Sequence, residues 1–289
     1  KAMNVKGLNV TAPHKQSIIP YLDELSIDAK AVGAVNTIEQ KGELFIGHNT
    51  DIKGFSNAVA DTGFHIRNSK AIVFGAGGAA RAIVYALLQG HASEVWVVNR
   101  NVRNGVDLVQ EIGGELLRMQ DIPDFAYQVN LIVNATSISN SEQSPELSSE
   151  IQKLENFHNL QLVVDINYGQ TNSMWRDLAE REYALFKDGL PMLAHQAKLS
   201  FCIWTGVDLS LSDFTSYMPA LASFPSEYQI KKRKKEQEGN IYITGFMGVG
   251  KTTIGKRLAN LLKCEFIDLD VSVEKYLGSS VLEIFKYQG

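Results

Sequence analysis

Lys70-Ala71-Ile72-Val73-Phe74-Gly75-Ala76-Gly77-Gly78-Ala79-Ala80-Arg81-Ala82 decides the fold of most of this 289-residue chain. An apolar β-type run meets a G-x-G-x-x-A turn, and residues 83–89 continue as a helix. In this form of the Rossmann turn Gly75 makes the tight bend, Gly77 lets backbone approach a pyrophosphate, and Ala80 allows close helix packing. With Ala76, Gly78 and Ala79 they form a helix start that offers free N–H groups and partial positive charge to phosphates. A glycine-rich turn can also serve packing alone, so the flanking segments have to carry the rest.

The next apolar run, Glu94-Val95-Trp96-Val97-Val98, ends in Asn99-Arg100. An NAD enzyme would place an Asp or Glu there for the ribose hydroxyls, whereas Arg100 suits a 2′-phosphate. NADP is therefore expected over NAD. Arg103 could add charge or simply begin the next helix at the surface. Two further runs, Leu131-Ile132-Val133-Asn134 and Leu162-Val163-Val164-Asp165, end in polar residues at the C-terminal edges where ligands sit in open parallel sheets. The alternation of strand and helix predicts a doubly wound α/β domain.

Near the other end, Ile241-Tyr242-Ile243-Thr244 runs into G-x-x-x-x-G-K-T, from Gly245 through Gly248 and Gly250 to Lys251 and Thr252. This is the phosphate-binding loop: its N–H groups wrap phosphates, Lys251 reaches the β/γ-phosphates and the Thr252 hydroxyl serves Mg²⁺. A chance glycine turn would not explain the amphipathic helix that follows through Ile254, Leu258, Ala259, Leu261 and Leu262.

A net charge of −4, 45% hydrophobic and 21% charged residues describe an ordinary globular composition, with room for about two domains. Nucleic acid is not expected as a partner. The one basic cluster, Lys231-Lys232-Arg233-Lys234-Lys235, reads as part of a solvated linker. No apolar stretch has the length to cross a bilayer and no signal peptide opens the sequence, so the expectation is a cytoplasmic protein. Cys202 and Cys264 fit no metal-ligand spacing and read as buried or free thiols.

Three segments ahead of the glycine turn carry too many polar residues to be plain core: 7–15, 34–38 and 47–54. A Lys and an Asp brought together at a dinucleotide site can hold a hydroxyl or carbonyl and move a proton as hydride transfers. Taken singly, Lys15 could be a surface cation and Asp51 a helix N-cap.

The motifs G-x-N-V-T-x-P-H-K (Gly7 to Lys15), A-V-N-T-I (Ala34 to Ile38), G-x-N-T-D-x-x-G (Gly47 to Gly54), G-A-G-G-A-A-R-A, N-R, N-A-T-S (Asn134 to Ser137), D-x-x-Y (Asp165 to Tyr168) and G-x-x-M-L-x-x-Q (Gly189 to Gln196) follow one another over residues 1–206. In content and order this resembles the shikimate dehydrogenase family. The resemblance implies reversible NADP-dependent reduction of 3-dehydroshikimate to shikimate, in chorismate and aromatic amino acid biosynthesis. It implies Lys15 and Asp51 as the catalytic pair, Thr11, Asn36, Tyr168 and Gln196 on the substrate, and Gly189 beside the cofactor. His14 and His48 lie inside these motifs without an assigned role. Asn101 stands where the family often has Thr, Asn104 takes a commonly basic position, and Tyr168-Gly169-Gln170 replaces a commoner Tyr-Asn-Pro.

The last segment resembles the start of shikimate kinase, with Cys264-Glu265-Phe266-Ile267-Asp268-Leu269-Asp270 matching F-x-D-x-D and residues 278–285 matching G-x-S-I-x-E-I-F. This implies ATP and Mg²⁺, with Thr253 at the nucleotide, Asp268 serving the metal region and Asp270 the shikimate hydroxyls. The family's Ser-x-Ser substrate loop would precede Lys1 and the kinase's later elements would follow Gly289, so an internal piece of a longer protein is expected.

The domains expected are a substrate-binding α/β domain from 1–68 and 190–222, a Rossmann-type parallel sheet over 69–189, a basic linker over 223–239, and the start of a P-loop kinase α/β domain at 240–289. Two other readings stay open: a nucleotide-binding module without turnover, and an NAD-using quinate/shikimate dehydrogenase.

Overall fold

A computed structural model describes residues 6–169, 172–212, 255–256, 259 and 266–268. Gly245, Gly248, Gly250, Lys251, Thr252, Thr253, Asp270, Cys264 and the basic linker lie outside these residues. By packing, the chain divides into one unit of Lys1–Ala220 with Gly239–Tyr242 and a second of Leu221–Glu238 with Ile243–Gly289.

The first unit opens with β1 (Gly7–Asn9), β2 (Glu24–Leu25), α1 (Ile27–Val32), β3 (Thr37–Lys41), β4 (Leu44–His48) and α2 (Asp51–Ala60). The four strands form one sheet in the order β1-β3-β4-β2, antiparallel except where β2 runs parallel to β4. Lys41 pairs with Leu44 across a two-residue connection in which Gly42 takes φ +63°, a conformation that costs glycine little and suits a tight hairpin. The Ser26 hydroxyl caps α1 by accepting from the Ala29 amide, and Gly33 ends the helix in the left-handed region.

The chain then builds β5 (Lys70–Phe74), α3 (Gly78–Gln89), β6 (Glu94–Val98), α4 (Val102–Glu111), β7 (Glu115–Leu116), β8 (Leu131–Asn134), α5 (Pro145–Lys153), β9 (Leu162–Asp165), α6 (Met174–Arg181) and β10 (Leu185–Lys187). All six strands are parallel, in the order β10-β9-β8-β5-β6-β7. The chain winds outward both ways from β5, which places a crevice beyond the C-terminal ends of β5 and β8. Alternate strand residues feed two cores. Ala71, Val73, Val97 and Val133 join Ile83, Leu87 and Leu108, while Ile72, Phe74, Trp96, Ile132 and Val163 join Ile122, Phe157 and Trp175. Sheets covered on both faces need apolar residues on both, which is why these strands read as continuous hydrophobic runs. Each Val, Leu, Ile or Phe side chain among them stabilises by about 1.5–3 kcal/mol on burial.

The strands expected at 70–74, 94–98, 131–134 and 162–165 have those bounds. The helix after the glycine turn begins earlier than its apolar pattern, at Gly78.

Last in this unit, α7 (Leu190–Thr205) returns to the first sheet. It crosses α2 closely at Gly54, where an added β-carbon would stand 3.0 Å from Gln196 Cβ and 3.2 Å from the Met192 carbonyl oxygen. The Trp204 indole donates to the Ile38 carbonyl at 2.9 Å, in space that a side chain at Gly7 would occupy. The α1/α2 lobe and the six-stranded lobe share an apolar joint in which Val32, Ile52 and Phe55 belong to the same core as Ala80, Ile83 and Leu87.

In the second unit Gly255, Lys256 and Ala259 are helical. Gly255 and Ala259 are buried, and the Phe266 ring lies so close to Gly255 that a β-carbon there would overlap it. Of the apolar positions expected on the helix after the G-x-x-x-x-G-K-T pattern, Ala259 is described, and Ile254, Leu258, Leu261 and Leu262 lie outside the described residues. Among the described residues, no helix is long and apolar enough to cross a membrane.

Candidate active site

Three short segments of the first lobe converge beside the glycine turn. Lys15 follows a turn in which the His14 amide donates to the Thr11 carbonyl at 2.9 Å. The Lys15 carbonyl accepts from the Val35 amide at 2.7 Å, which fastens that turn to the segment between α1 and β3. Asp51 is the first residue of α2. Its helix is capped one residue earlier than usual: Asn49 Oδ1 accepts from the Asp51 amide at 3.1 Å, and Asn49 Nδ2 donates to the Ala34 carbonyl at 2.9 Å. Asn49 thus ties the helix start to the Ala34–Asn36 segment and aims the Asp51 carboxylate.

Lys15 Nζ donates to Asp51 Oδ2 at 2.6 Å, with the side chains 16% and 6% exposed. Asn36 Nδ2 donates to Asp51 Oδ1 at 2.9 Å, and Asn36 Oδ1 accepts from the Thr50 amide at 2.8 Å, which fixes which way the Asn36 amide faces. Burying a carboxylate is costly unless it is paired and hydrogen-bonded. Here both oxygens have donors, and a helix N-terminus adds its favourable field. The result is a held, charge-assisted pair whose lysine keeps a path to solvent.

Gln196 Oε1 receives a longer bond from Asn36 Nδ2, 3.3 Å, and Gln196 Nε2 donates to the Leu193 carbonyl at 3.1 Å. Behind it Ser200, Thr37 and Thr50 share hydroxyl contacts, with Thr37 and Ser200 oxygens 2.7 Å apart. Thr11 is exposed at the rim and Tyr168 half-buried after β9. Lys15, Asp51, Asn36 and Gln196 are therefore brought together; Thr11 begins the turn that carries Lys15, and Tyr168 stands on the loop after β9.

In the second lobe Gly75 takes φ +115°, and a β-carbon there would approach the Ala135 carbonyl oxygen to 2.8 Å. Gly77 is exposed and extended, with open space where a side chain would stand. No side chain caps α3 and no acid lies in its first turn, so its leading N–H groups suit an anion. Ala76, Gly78 and Ala79 are half-buried around this start. Asn99 donates to the Asn101 carbonyl at 2.7 Å, and Asn101 caps α4. Arg100 and Arg103 are exposed beside it and make no ion pair or hydrogen bond among the described residues. These residues fit a dinucleotide carrying an extra phosphate: a glycine with room for a pyrophosphate and two free cations past β6.

Gly189 is buried at the start of α7, where a β-carbon would overlap the Ile166 carbonyl. Its amide donates to the Asn167 carbonyl at 2.9 Å. This packing alone requires glycine there.

Sequence reasoning left a second polar knot without a role. Asn134 and Asp165, at the ends of adjacent strands, are buried, and Asn134 Nδ2 donates to Asp165 Oδ1 at 2.8 Å. Asn167 Nδ2 donates to the same oxygen at 2.9 Å and to the Thr136 carbonyl at 2.8 Å. Burial holds the Asp165 carboxyl above its ordinary value against the pull of these bonds. The Ser139 hydroxyl, buried without a hydrogen bond of normal geometry, also favours the charged form, but burial outweighs it. The knot orders the loops that carry Thr136 and Tyr168. Its sequence signal was two polar residues ending apolar strands in register.

Asp268 is half-buried in the second unit. Cys202 is a free, half-buried thiol on α7. Among the described residues, no cluster of His, Cys, Asp and Glu has the makings of a metal site.

Three families of known proteins match parts of this chain. A family described as shikimate dehydrogenase substrate binding domain matches residues 1–38, one described as shikimate/quinate 5-dehydrogenase matches 58–170, and one described as shikimate kinase matches 247–289. A shikimate dehydrogenase (NADP⁺) from Methanothrix thermoacetophila is 39% identical over 209 residues, covering 72% of this chain and 74% of the relative. A Thermus thermophilus shikimate 5-dehydrogenase solved with NADP(H) and shikimate superposes with a TM-score of 0.63 at 32% identity, covering 73% of this chain and 77% of that one. A quinate dehydrogenase from Corynebacterium glutamicum, solved with NAD, gives 0.66 at 26% identity, covering 75% and 78%.

Proposed function

This chain belongs to the shikimate dehydrogenase family, and from that premise we propose that it reduces 3-dehydroshikimate reversibly to shikimate, using NADP(H), with Lys15 and Asp51 as the catalytic pair. The observation that carries the reading is the 2.6 Å bond between Lys15 Nζ and Asp51 Oδ2 beside the glycine turn. A nicotinamide held here would supply the hydride for reduction and accept it in the reverse direction. Gly75, Ala76, Gly77, Gly78 and Ala79 would hold its pyrophosphate, with Asn99, Arg100 and Arg103 at the 2′-phosphate and Gly189 close by.

Reduction of a carbonyl places negative charge on its oxygen, and the Lys15 ammonium stabilises that charge and delivers a proton to it. Asp51, aimed by Asn36 and the cap at Asn49, keeps the ammonium pointed at that oxygen. In the reverse direction Lys15 takes the hydroxyl proton. Thr11, Asn36, Tyr168 and Gln196 are read as the groups that grip the substrate's remaining polar atoms. Holding the reacting atoms in one geometry is itself worth several orders of magnitude in rate.

The test is NADPH oxidation on addition of 3-dehydroshikimate, in parallel with NADH and with quinate in the reverse direction. Loss of NADPH absorbance that depends on the substrate is expected. Cofactor binding without turnover would reduce the chain to a nucleotide-binding module. A preference for NAD and quinate would move it toward the Corynebacterium relative, a reading that Arg100 opposes.

We read 240–289 as the start of a fused shikimate kinase domain, supported by the family match at 247–289 and by the G-x-x-x-x-G-K-T pattern. Lys251, Thr252, Thr253 and the glycines at 245, 248 and 250 would cradle ATP, Thr252 and Asp268 would serve Mg²⁺, and Asp270 the acceptor. The product of the first activity would then be the substrate of the second. Binding of a fluorescent ATP analogue with Mg²⁺ that is abolished by Lys251→Ala supports this, and binding that the substitution leaves intact overturns it.

A further inference from the structure

Among the described residues Arg81 is the one buried Lys or Arg, with 4% of its surface exposed. It sits one turn into α3, and its amide donates to the Gly77 carbonyl at 3.0 Å. Its side chain leaves the six-stranded lobe. Nε donates to the carbonyl of Val32, the last residue of α1, at 2.6 Å. One terminal nitrogen donates to the Glu111 carboxylate at the end of α4. Gly33 makes room for the guanidinium, since a β-carbon there would stand 3.1 Å from that same terminal nitrogen.

A guanidinium is expensive to bury, and the apolar joint around it would hold α1 to α3 without one. What it adds is direction. The planar fork fixes a helix-end carbonyl on one side and a carboxylate on the other, which an ammonium on a flexible stem cannot do from one plane. The carbonyl it fixes lies at the root of the segment that builds the site. Ala34 accepts from Asn49, the Val35 amide holds the Lys15 carbonyl, and Asn36 holds Asp51. Arg81 is thus the polar tie between the helix expected to receive the pyrophosphate and the segment that aims the proton donor.

We propose that Arg81 is a positioning residue for the reaction, fixing the Lys15–Asp51 pair relative to the glycine turn through Val32 and the 33–36 segment. It rests on the catalytic reading of that pair given above. The experiment compares Arg81→Met, Arg81→Lys and Glu111→Gln in the full chain. It measures kcat and KM for 3-dehydroshikimate, NADPH affinity by fluorescence, and hydrogen exchange at the Val35 amide.

Arg81→Met is expected to lower kcat roughly 10- to 100-fold, the scale of a small misplacement of reacting groups, with NADPH affinity unchanged and Val35 exchanging faster. Arg81→Lys should recover part of the loss. Glu111→Gln, at a largely exposed carboxylate, should leave kcat near normal. Loss of NADPH affinity in step with kcat, or a folded Arg81→Met with normal kcat and normal exchange, would overturn the proposal. Should Arg81→Met not fold, Arg81→Lys carries the test, and an unchanged kcat in that variant counts against it. A wild-type protein inactive toward 3-dehydroshikimate would sink the functional reading instead, while Val35 exchange would still report whether Arg81 holds the segment.

Discussion

Gly78 and Lys15 face each other across the joint between the lobes: a β-carbon on residue 78 would stand 3.0 Å from Lys15 Cβ and 3.3 Å from its Cδ. The glycine turn therefore forms part of the lysine's socket. The lysine stem has a wall on that side, and Asp51 receives its tip.

Replacing Lys15 with Met keeps the stem in this socket and removes only the charge and its protons. A fall in kcat of roughly two to four orders of magnitude is expected, the scale for a general acid–base group, with a much smaller change in NADPH affinity. Steady-state kinetics with a parallel cofactor titration would show it. A variant with near-normal kcat would take Lys15 out of the chemistry.

Arg100 is exposed past the end of β6 and has no partner among the described residues, so its removal should not disturb the fold. Arg100→Ala is expected to weaken NADP(H) by ~1.5–3 kcal/mol, as for a charge-assisted hydrogen bond, and to leave NAD(H) nearly unaffected. Equal losses for both cofactors would assign Arg100 a different task.

Asp165 gives a pH signature. Its folded carboxyl is raised above the ordinary 3.8, chiefly by burial, so the folded protein holds that proton more tightly than the unfolded chain does. Its contribution to stability is full below 3.8 and is lost as pH rises through the raised value. Asp165→Asn deletes that dependence. Urea midpoints across a pH series should show wild-type stability falling relative to that of the variant as pH rises through the raised value, and a relative rise would contradict the assignment.

Gly189→Ala tests a position that the sequence suggests for the cofactor and that packing claims as well. The added methyl would overlap the Ile166 carbonyl, and overpacking of this kind costs about 1–3 kcal/mol or more. A lowered melting temperature in the absence of cofactor is expected. Unchanged stability with weakened NADPH binding would reverse that reading.

The six-stranded sheet was legible because strands buried on both faces leave unbroken apolar runs, so the bounds of β5, β6, β8 and β9 could be read directly. The Lys15–Asp51 pair came from ordered motifs. Spacing alone could not distinguish it from a surface cation and a helix cap, because their direct contact depends on long-range ties through Val35, Asn36 and Asn49. Arg81 lay in plain view inside the glycine motif, yet nothing local marks an arginine whose partners are Val32, 49 positions away, and Glu111, 30 positions away. β7 and β10 are too short at the sheet's edges to leave a pattern.

The return of α7 to the first sheet has a consequence for biogenesis. Asn36 meets Gln196 across 160 positions, and Asn9 meets Ser200 across 191. On a ribosome adding about 5–20 residues per second, the first lobe would wait roughly 8–30 s between emergence of Asn36 and of its partner. Throughout that interval the face of α2 that later receives α7 would stay uncovered, open to chaperones or to aggregation. The six-stranded lobe, whose segments are contiguous, can assemble meanwhile. The surroundings of Lys15 and Asp51 would thus be completed only after α7 docks, and slow translation past Gly189 would lengthen the vulnerable period without altering any contact in the finished molecule.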